Sequence, residues 1–311
     1  MFIGIDIGGT KCAVVKGVPL EDGRISVTDK ISFPTESCER TLDKIVGAVA
    51  EMAPFKSIGI SSGGPLDEER GIILSPPNLP GWDRIPISDI LRERFSVPVV
   101  LRNDANACAL AEWRFGAGRG TKNMIFMTFG TGLGAGLIID GKLYSGTNGM
   151  AGEVGHVRLD SDGPLGYGKV GSFEGFCSGG GIARLAIKRA REALLGGKLI
   201  FSLKSEDEIY NLTAKKISEL AYSGDPDAIE VFNESARRLG MGVSILIDVL
   251  NPERIVIGSV YARSKSLFEK EMTRVIEEEA LAESASVCKI VPAELGDSIG
   301  DIAAIAVAME V

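Results

Sequence analysis

Twice along this chain a short apolar run breaks at a glycine turn and a second apolar run leads away. The first copy joins residues 2–7 to 12–15 through Gly8-Gly9-Thr10-Lys11, and the second joins 124–129 to 137–139 through Gly130-Thr131-Gly132-Leu133-Gly134. Each reads as a β-hairpin whose turn lacks Cβ atoms, so backbone N–H groups can approach an anion closely. Thr10 and Thr131 add hydroxyl donors and Lys11 a positive charge. Either turn alone reads more readily as an ordinary hairpin turn. Two matched turns in one polypeptide constrain the fold far more: they imply a duplicated nucleotide-binding α/β architecture whose guest is a polyphosphate.

At 311 residues the chain exceeds the usual span of one hydrophobic core, so two lobes with a cleft are expected. The 34 basic and 42 acidic residues give a formal charge of -8, which offers no general attraction for nucleic acid or an anionic membrane. A polyphosphate must therefore be held by local groups: turn N–H groups, helix N-termini, Lys11 and a divalent cation. Cys12, Cys38, Cys108, Cys177 and Cys288 are odd in number and never spaced as CxxC, as expected of reduced thiols in a cytoplasmic protein. Met1 leads into a strand without a basic leader, and the apolar runs near Ile245 and Ile302 are too short or interrupted to span a bilayer. Neither export nor a membrane span is expected.

After the first hairpin, residues 42–52 have helical periodicity, and 57–61 form a short strand that ends in Gly63-Gly64-Pro65. Residues 76–82, with their prolines and Gly81, read as loop, and 97–101 as a buried strand. Alternating strands and helices to about Phe115 indicate a lobe with a mixed sheet, because the opening hairpin must be antiparallel. The expected division is 1–117 plus 298–311 for the first lobe and 118–297 for the second. Between Gly141 and Gly181 the chain is glycine-rich and too long for a plain connection, the mark of a functional loop. Beyond it, Asp225 is a natural N-cap with Pro226 at the first helical position, and apolar residues keep helical spacing to Leu250. A strand over 254–257 ending at Gly258, a helix over 267–280, a strand over 287–291 and a closing helix over 299–309 complete the pattern.

The run Arg102-Asn103-Asp104-Ala105-Asn106-Ala107 lies where an apolar strand gives way to a helix, which puts Asn103 and Asp104 at the mouth of the sheet. A carboxylate there stays ionised at neutral pH and can accept a proton from an attacking hydroxyl; its plainer role is a helix cap. Two other motifs lead nowhere. Residues 163–170 nearly match a Walker A loop, but Val170 stands in place of the magnesium-holding Ser or Thr. Gly130-Thr131-Gly132 resembles a dinucleotide fingerprint, yet a strand follows rather than a helix.

Six segments together resemble the ROK family (repressor, open reading frame, kinase) in order and spacing: Asp6-Ile7-Gly8-Gly9-Thr10-Lys11, Gly63 to Asp67, Asn78-Leu79-Pro80-Gly81-Trp82, Asn103 to Ala107, the turn at Gly130, and Glu153-Val154-Gly155-His156. The resemblance implies the two-lobed, ribonuclease H-like α/β fold of actin, Hsp70 and hexokinase, and transfer of the ATP γ-phosphoryl group to a sugar hydroxyl. By the same resemblance Asp104 is the base. Gly64, Asn78, Asn103, Glu153, His156 and Glu174 hold the sugar, and Asp6 faces Mg²⁺ through water. Gly8, Gly9, Thr10, Lys11, Gly130, Thr131, Gly132 and Gly134 meet the phosphates, with Gly258 and Ser259 at the adenosine. A homodimer is implied as well. The acceptor is expected to be an aldohexose or an N-acetylhexosamine, at its C6 hydroxyl. The alternative is a non-catalytic sugar-binding regulator, related to ROK repressors but without a DNA-binding domain.

One departure stands out. Many relatives bind zinc through this histidine and three cysteines of a CxCGxxGCxE segment, but here Leu165, Tyr167 and Ser172 occupy the cysteine places and Cys177 is off register. One histidine cannot hold a structural zinc alone. The loop is therefore expected to be ordered by apolar packing of Leu165 and Tyr167, with His156 and Glu174 left to hydrogen-bond a sugar. Metal analysis of purified protein should find no zinc; one zinc per chain would refute this reading.

Overall fold

The computed structural model describes residues 1–311. The elements are β1 (Phe2–Ile7), β2 (Lys11–Pro19), β3 (Ile25–Pro34), α1 (Cys38–Glu51), β4 (Ile58–Ser62), β5 (Leu66–Asp67), β6 (Ile72–Ile73), α2 (Ile87–Phe95), β7 (Val99–Asn103) and α3 (Asp104–Phe115). They continue with β8 (Met124–Phe129), β9 (Leu133–Ile139), β10 (Lys142–Tyr144), β11 (Leu165–Gly166), β12 (Lys169–Val170), α4 (Phe173–Phe176), α5 (Gly179–Leu195), α6 (Ala214–Tyr222) and α7 (Pro226–Leu250). Last come β13 (Arg254–Ile257), α8 (Ser259–Glu279), α9 (Ala282–Val287), β14 (Lys289–Pro292) and α10 (Ile299–Ala308).

Two five-stranded sheets dominate, in the orders β3-β2-β1-β4-β7 and β10-β9-β8-β13-β14. In the first, β1 runs antiparallel to β2 and parallel to β4, and β4 runs parallel to β7. The registers place Asp6 beside Ser61 and Ser62 beside Asn103, so three strands end at one edge. Ile3, Ile5, Ile58, Ile60 and Leu101 are buried at 0–1% exposure, which gives this sheet its apolar core. Edge strand β3 was not among the expected strands, although Ile25, Val27, Ile31 and Phe33 alternate with polar residues along it; none of its residues is fully buried and Asp29 breaks the alternation midway.

Helix α10 lies against β1 and β4 and is buried along nearly its whole length, from Ile302 to Ala308. The approach is so close that a Cβ on Gly4 would lie 2.7 Å from the Ile305 nitrogen, and one on Gly59 2.2 Å from that of Ala308. No side chain fits at either position. In α7 the expected cap forms: the Asp225 carboxylate accepts the Ala228 N–H at 2.9 Å, with Pro226 in the first turn. Two compact units emerge, one of Met1–Phe126, Gly136–Ala151 and Glu294–Val311, the other of Met127–Ala135 and Gly152–Ala293. Compared with the expected division, the first also takes 118–126, 136–151 and 294–297.

The glycine-rich stretch after Gly141 is better ordered than a loop, and the expected apolar anchors are wrong. Leu165 is 51% exposed and Tyr167 73%. Tyr167 and Gly168 form the two-residue turn between β11 and β12, both at positive φ, so the tyrosine stands at a hairpin tip facing water. Hydrogen bonds hold the loop instead. Ser172 Oγ donates to Gly166 O and accepts the Gly175 N–H; Arg158 donates to Val170 O, and Lys169 Nζ to His156 O at 2.7 Å. Phe173 and Phe176, at 1% and 2% exposure, supply the apolar anchor that Leu165 and Tyr167 do not.

Replacing Gly59 with valine should destabilise the protein by about 3 kcal/mol or more, because neither backbone at the contact can move away cheaply. Gly47→Ala, where nothing lies within 4 Å of a Cβ in α1, should instead stabilise by about 0.5–1 kcal/mol. Urea denaturation of both variants checks the pair.

Candidate active site

The first unit gathers most of its expected site residues at the shared edge of β1, β4 and β7. Gly8 N–H donates to Lys11 O at 3.1 Å and closes the first glycine turn, leaving Gly9, Thr10 and Lys11 exposed. Asn78 lies over that turn: a Cβ on Gly9 would reach 2.5 Å from the Asn78 carbonyl oxygen, and one on Gly63 3.4 Å from Asn78 Nδ2. Gly64 faces Asn103 in the same way, at 3.4 Å from Nδ2. Asp6, Gly9, Gly64, Asn78, Asn103 and Asp104 therefore share one neighbourhood, although nearly a hundred residues separate the ends of that set.

Asn103 caps α3. Its Oδ1 accepts the Ala105 N–H at 3.0 Å, while Asp104 Oδ1 accepts the same N–H at 2.8 Å. The cap and the candidate base are thus neighbours on one helix end, each doing part of the capping. Asp104 keeps solvent contact, yet the protein around it removes enough water that burial pushes its carboxyl above the ordinary range; the Ala105 N–H works against that rise. Asp6 is pushed up to about 6, first by burial and then by the carboxylates of Asp104 and Asp301, against the pull of Lys30 and Lys11. Asp301, in the first turn of α10, is paired with Lys30 at 2.5 Å. Three acidic side chains thus crowd one strand edge.

Two residues that the sequence reading passed over brace this edge. Thr35 Oγ1 donates to Gly8 O at 2.6 Å and the Thr35 N–H donates to Thr10 O at 3.0 Å, so one threonine holds two carbonyls of the glycine turn. Glu68, between β5 and β6, accepts from the Asn103 N–H at 2.7 Å, Asn106 Nδ2 at 3.1 Å and Ser145 Oγ at 3.2 Å. No local pattern marks either residue, because their partners are distant in sequence.

In the second unit the turn from Gly130 to Leu133 is closed by Gly130 N–H donating to Gly132 O at 3.1 Å. Glu174, expected at the sugar, lies against this turn: its Oε2 accepts the Leu133 N–H at 3.0 Å, and a Cβ on Gly132 would come within 2.7 Å of it. Ser259, at the start of α8, lies near Gly130, and the Gly179 N–H at the start of α5 donates to Gly130 O at 2.8 Å. Two helix N-termini therefore flank the turn, where their N–H groups and dipoles favour an anion. The α5 end was missed; its signal was an N-cap serine before three glycines, Ser178 to Gly181. Glu153 precedes and His156 ends a single 3₁₀ turn (Val154–His156), held to β9 by Ala135 N–H donating to Gly152 O at 2.9 Å. The His156 ring meets the Tyr167 ring edge-on at 6.2 Å. Thr131 is exposed beside Gly132, and the Gly134 N–H donates to Thr128 Oγ1 at 2.9 Å.

Two mixed sheets with glycine turns at their first hairpins define an α/β protein of the actin, Hsp70 and hexokinase superfamily. The chain belongs to the ROK family, which it matches over residues 2–311. It is 36% identical over 262 residues to a glucokinase of Streptomyces coelicolor, covering 83% of this chain and 81% of that protein. A xylose repressor of Caldicellulosiruptor bescii is 31% identical over 274 residues, covering 86% of this chain and 67% of the repressor. Among solved structures, a ROK family glucokinase from Streptomyces griseus, in complex with glucose and AMPPNP, has a TM-score of 0.78 and 34% identity, covering 100% of this chain and 99% of that one.

The crowding at Asp6 has a measurable sign. Its folded pKa lies above its unfolded value, so the folded protein loses stability as pH rises from about 4 towards the folded value of about 6. Asp6→Asn should therefore melt higher than wild type at pH 7, by on the order of 2 kcal/mol, with the advantage vanishing at pH 3.5. Thermal melts in a chelating buffer test this; an advantage that is constant with pH would contradict it.

Proposed function

We propose that this chain is an ATP-dependent sugar kinase that transfers the γ-phosphoryl group to the C6 hydroxyl of an aldohexose or N-acetylhexosamine, with Asp104 as the base. The observation that carries the reading is the parallel register of β1, β4 and β7. It aligns Asp6, Gly63-Gly64 and Asn103-Asp104 at one sheet edge beside the first glycine turn. The glucokinase relatives support the same class, and the glucose and AMPPNP held by the Streptomyces griseus enzyme support the pair of substrates. No helix is long and apolar enough to cross a membrane.

Phosphoryl transfer asks mainly for in-line placement and charge neutralisation. In this reading the Gly9 N–H, the Thr10 hydroxyl and Lys11 receive phosphate oxygens, Gly8 shapes the turn through its own N–H bond to Lys11 O, and the turn at Gly130 and Thr131 receives other oxygens, with Gly132 and Gly134 leaving room. Gly258 and Ser259 face the adenosine. Gly64, Asn78, Asn103, Glu153 and His156 orient the sugar, and Glu174 braces its loop through Leu133. Asp104 accepts the hydroxyl proton as the oxygen attacks.

A magnesium ion fits Asp6. No cluster of three or more His, Cys, Asp or Glu side chains forms a ready-made cage. Magnesium, however, commonly keeps several waters and needs only one or two carboxylates plus substrate phosphates. The three mutually repelling carboxylates Asp6, Asp104 and Asp301 are a charge that such a cation would relieve. When bound, it would neutralise charge on the transferring phosphate oxygens.

A sugar-binding regulator is the second reading, motivated by the xylose repressor relative. An ADP-release assay over glucose, mannose, fructose, allose, glucosamine, N-acetylglucosamine and N-acetylmannosamine separates the two. Turnover of one or more supports the kinase; sugar binding without ADP from any of them selects the regulator. In the kinase, Asp104→Asn should lower kcat by about 100-fold or more with a much smaller change in sugar affinity. Because Asp104 must be ionised and the protein around it raises its pKa, kcat should begin to fall at a pH above the ordinary carboxylate range near about 4 as pH is lowered. A flat profile down to that range would count against Asp104 as base.

A further inference from the structure

Glu68 belongs to no segment that pointed to function, yet it bonds both the cap residue and the first turn of the helix that carries Asp104. Its side chain is only 7% exposed. One carboxylate oxygen accepts the Asn103 N–H at 2.7 Å and Asn106 Nδ2 at 3.1 Å; the other accepts Ser145 Oγ at 3.2 Å and lies 3.5 Å from Arg102 Nη1. Four donors from two separate stretches of chain, 102–106 and Ser145, thus meet on one buried carboxylate. Strand β7 is an edge strand of its sheet, so N–H groups on its outer side have no strand partner. Glu68 supplies one for Asn103, the residue where strand turns into helix.

That contact acts on Asp104 through a short chain of bonds. Fixing the Asn103 N–H fixes the extended backbone of the cap, at φ -60° and ψ 148°. The cap in turn shares the Ala105 N–H between Asn103 Oδ1 and Asp104 Oδ1, which sets the direction of the Asp104 carboxylate. Asn106 Nδ2 adds a second hold on the first turn of α3. Arg102 is meanwhile turned towards Glu310, with Nε 2.8 Å from its Oε2, so the Glu68–Arg102 contact is the longest and weakest of the four. Ser145 brings in the segment whose Ala151 N–H returns to Ser145 O at 3.0 Å and which runs on in sequence to Glu153. A buried ion pair by itself is poor ground for stability, since desolvation offsets much of the attraction. The value of a carboxylate here lies in the geometry it imposes.

We propose that Glu68 is a positioning residue for Asp104, holding the strand end and first helical turn so that the carboxylate faces an acceptor hydroxyl; this rests on the kinase reading above. The variants are Glu68→Leu, which removes every acceptor, and Glu68→Gln, which keeps one oxygen for Asn103 and Asn106 while its amide nitrogen can donate to Ser145. Glu68→Leu should lower kcat about 10- to 100-fold, the scale of a misplacement near 1 Å, with the KM for ATP within about twofold. Glu68→Gln should recover most of that loss. Combined with Asp104→Asn, Glu68→Leu should cost little further, because both act through the same carboxylate.

Hydrogen exchange at the Asn103 amide gives a readout that needs no activity: slow in wild type and Glu68→Gln, fast in Glu68→Leu. Wild-type kcat in folded Glu68→Leu, losses that add to those of Asp104→Asn, or kcat and ATP KM worsening together would each overturn the proposal. Ser145→Ala removes one contact only and should leave Asn103 exchange slow with kcat within about threefold; a loss as large as that of Glu68→Leu would also overturn it. Should wild type phosphorylate no sugar, the kinase reading fails, while Asn103 exchange still decides whether Glu68 holds the helix start.

Discussion

The first unit depends on how closely α10 approaches its sheet. Glycines at positions 4 and 59 let the helix backbone lie where side chains would normally stand, and the gain is dense apolar packing around Ile302, Ile305 and Val307. A helix buried this deeply must also satisfy its last carbonyls. Ser57 Oγ donates to Ala308 O at 2.5 Å, and Arg114 Nη1 to Ala306 O at 3.2 Å. The opposite end of the same helix then falls beneath the end of β1, where a Cβ on Gly300 would be 3.2 Å from Asp6 Oδ2 and where Asp301 adds its charge. Packing at one end of the helix thus fixes electrostatics at the other.

Those electrostatics work against the apo protein. Burying Asp6 beside two further carboxylates raises its pKa, and the charge of -8 over the whole chain offers no relief. Sites that must receive a cation and a polyphosphate commonly carry such stored repulsion, which the ligand then removes. In the kinase proposed above, the acidic edge would take a cation and the glycine turn beside it the anion that the cation accompanies.

The two glycine turns look alike in sequence but are braced by different means. In the first unit Thr35, arriving from the end of β3, ties the carbonyls of Gly8 and Thr10. In the second, Glu174 reaches from α4 to the Leu133 N–H, and the N-terminus of α5 holds Gly130 O. Duplication set the hairpins; the surroundings of each copy set what locks it. Glu174, whose motif resemblance implied a sugar contact, fastens α4 to the second turn.

The hairpins, the capped helix at Asp225, the closing helix and the strand-to-helix step at Asn103-Asp104 were all legible, because each is written in local periodicity, turn glycines or a capping residue. Glu68 and Thr35 were not, since their partners lie 35 and 27 residues away and neither side chain belongs to a repeating pattern. Leu165 and Tyr167 misled for the same reason: hydrophobic character suggested packing, but a two-residue turn at Tyr167-Gly168 sends the ring to solvent. By itself the sequence determined most of the strands, turns and helices, though not β3 or the start of α5, because those choices rest on near-neighbour backbone preferences and side-chain period. Only the tertiary structure decided which distant residues hold the edge of β1, β4 and β7 in shape, because a hydrogen bond across the fold leaves no mark on the residues beside it in the chain.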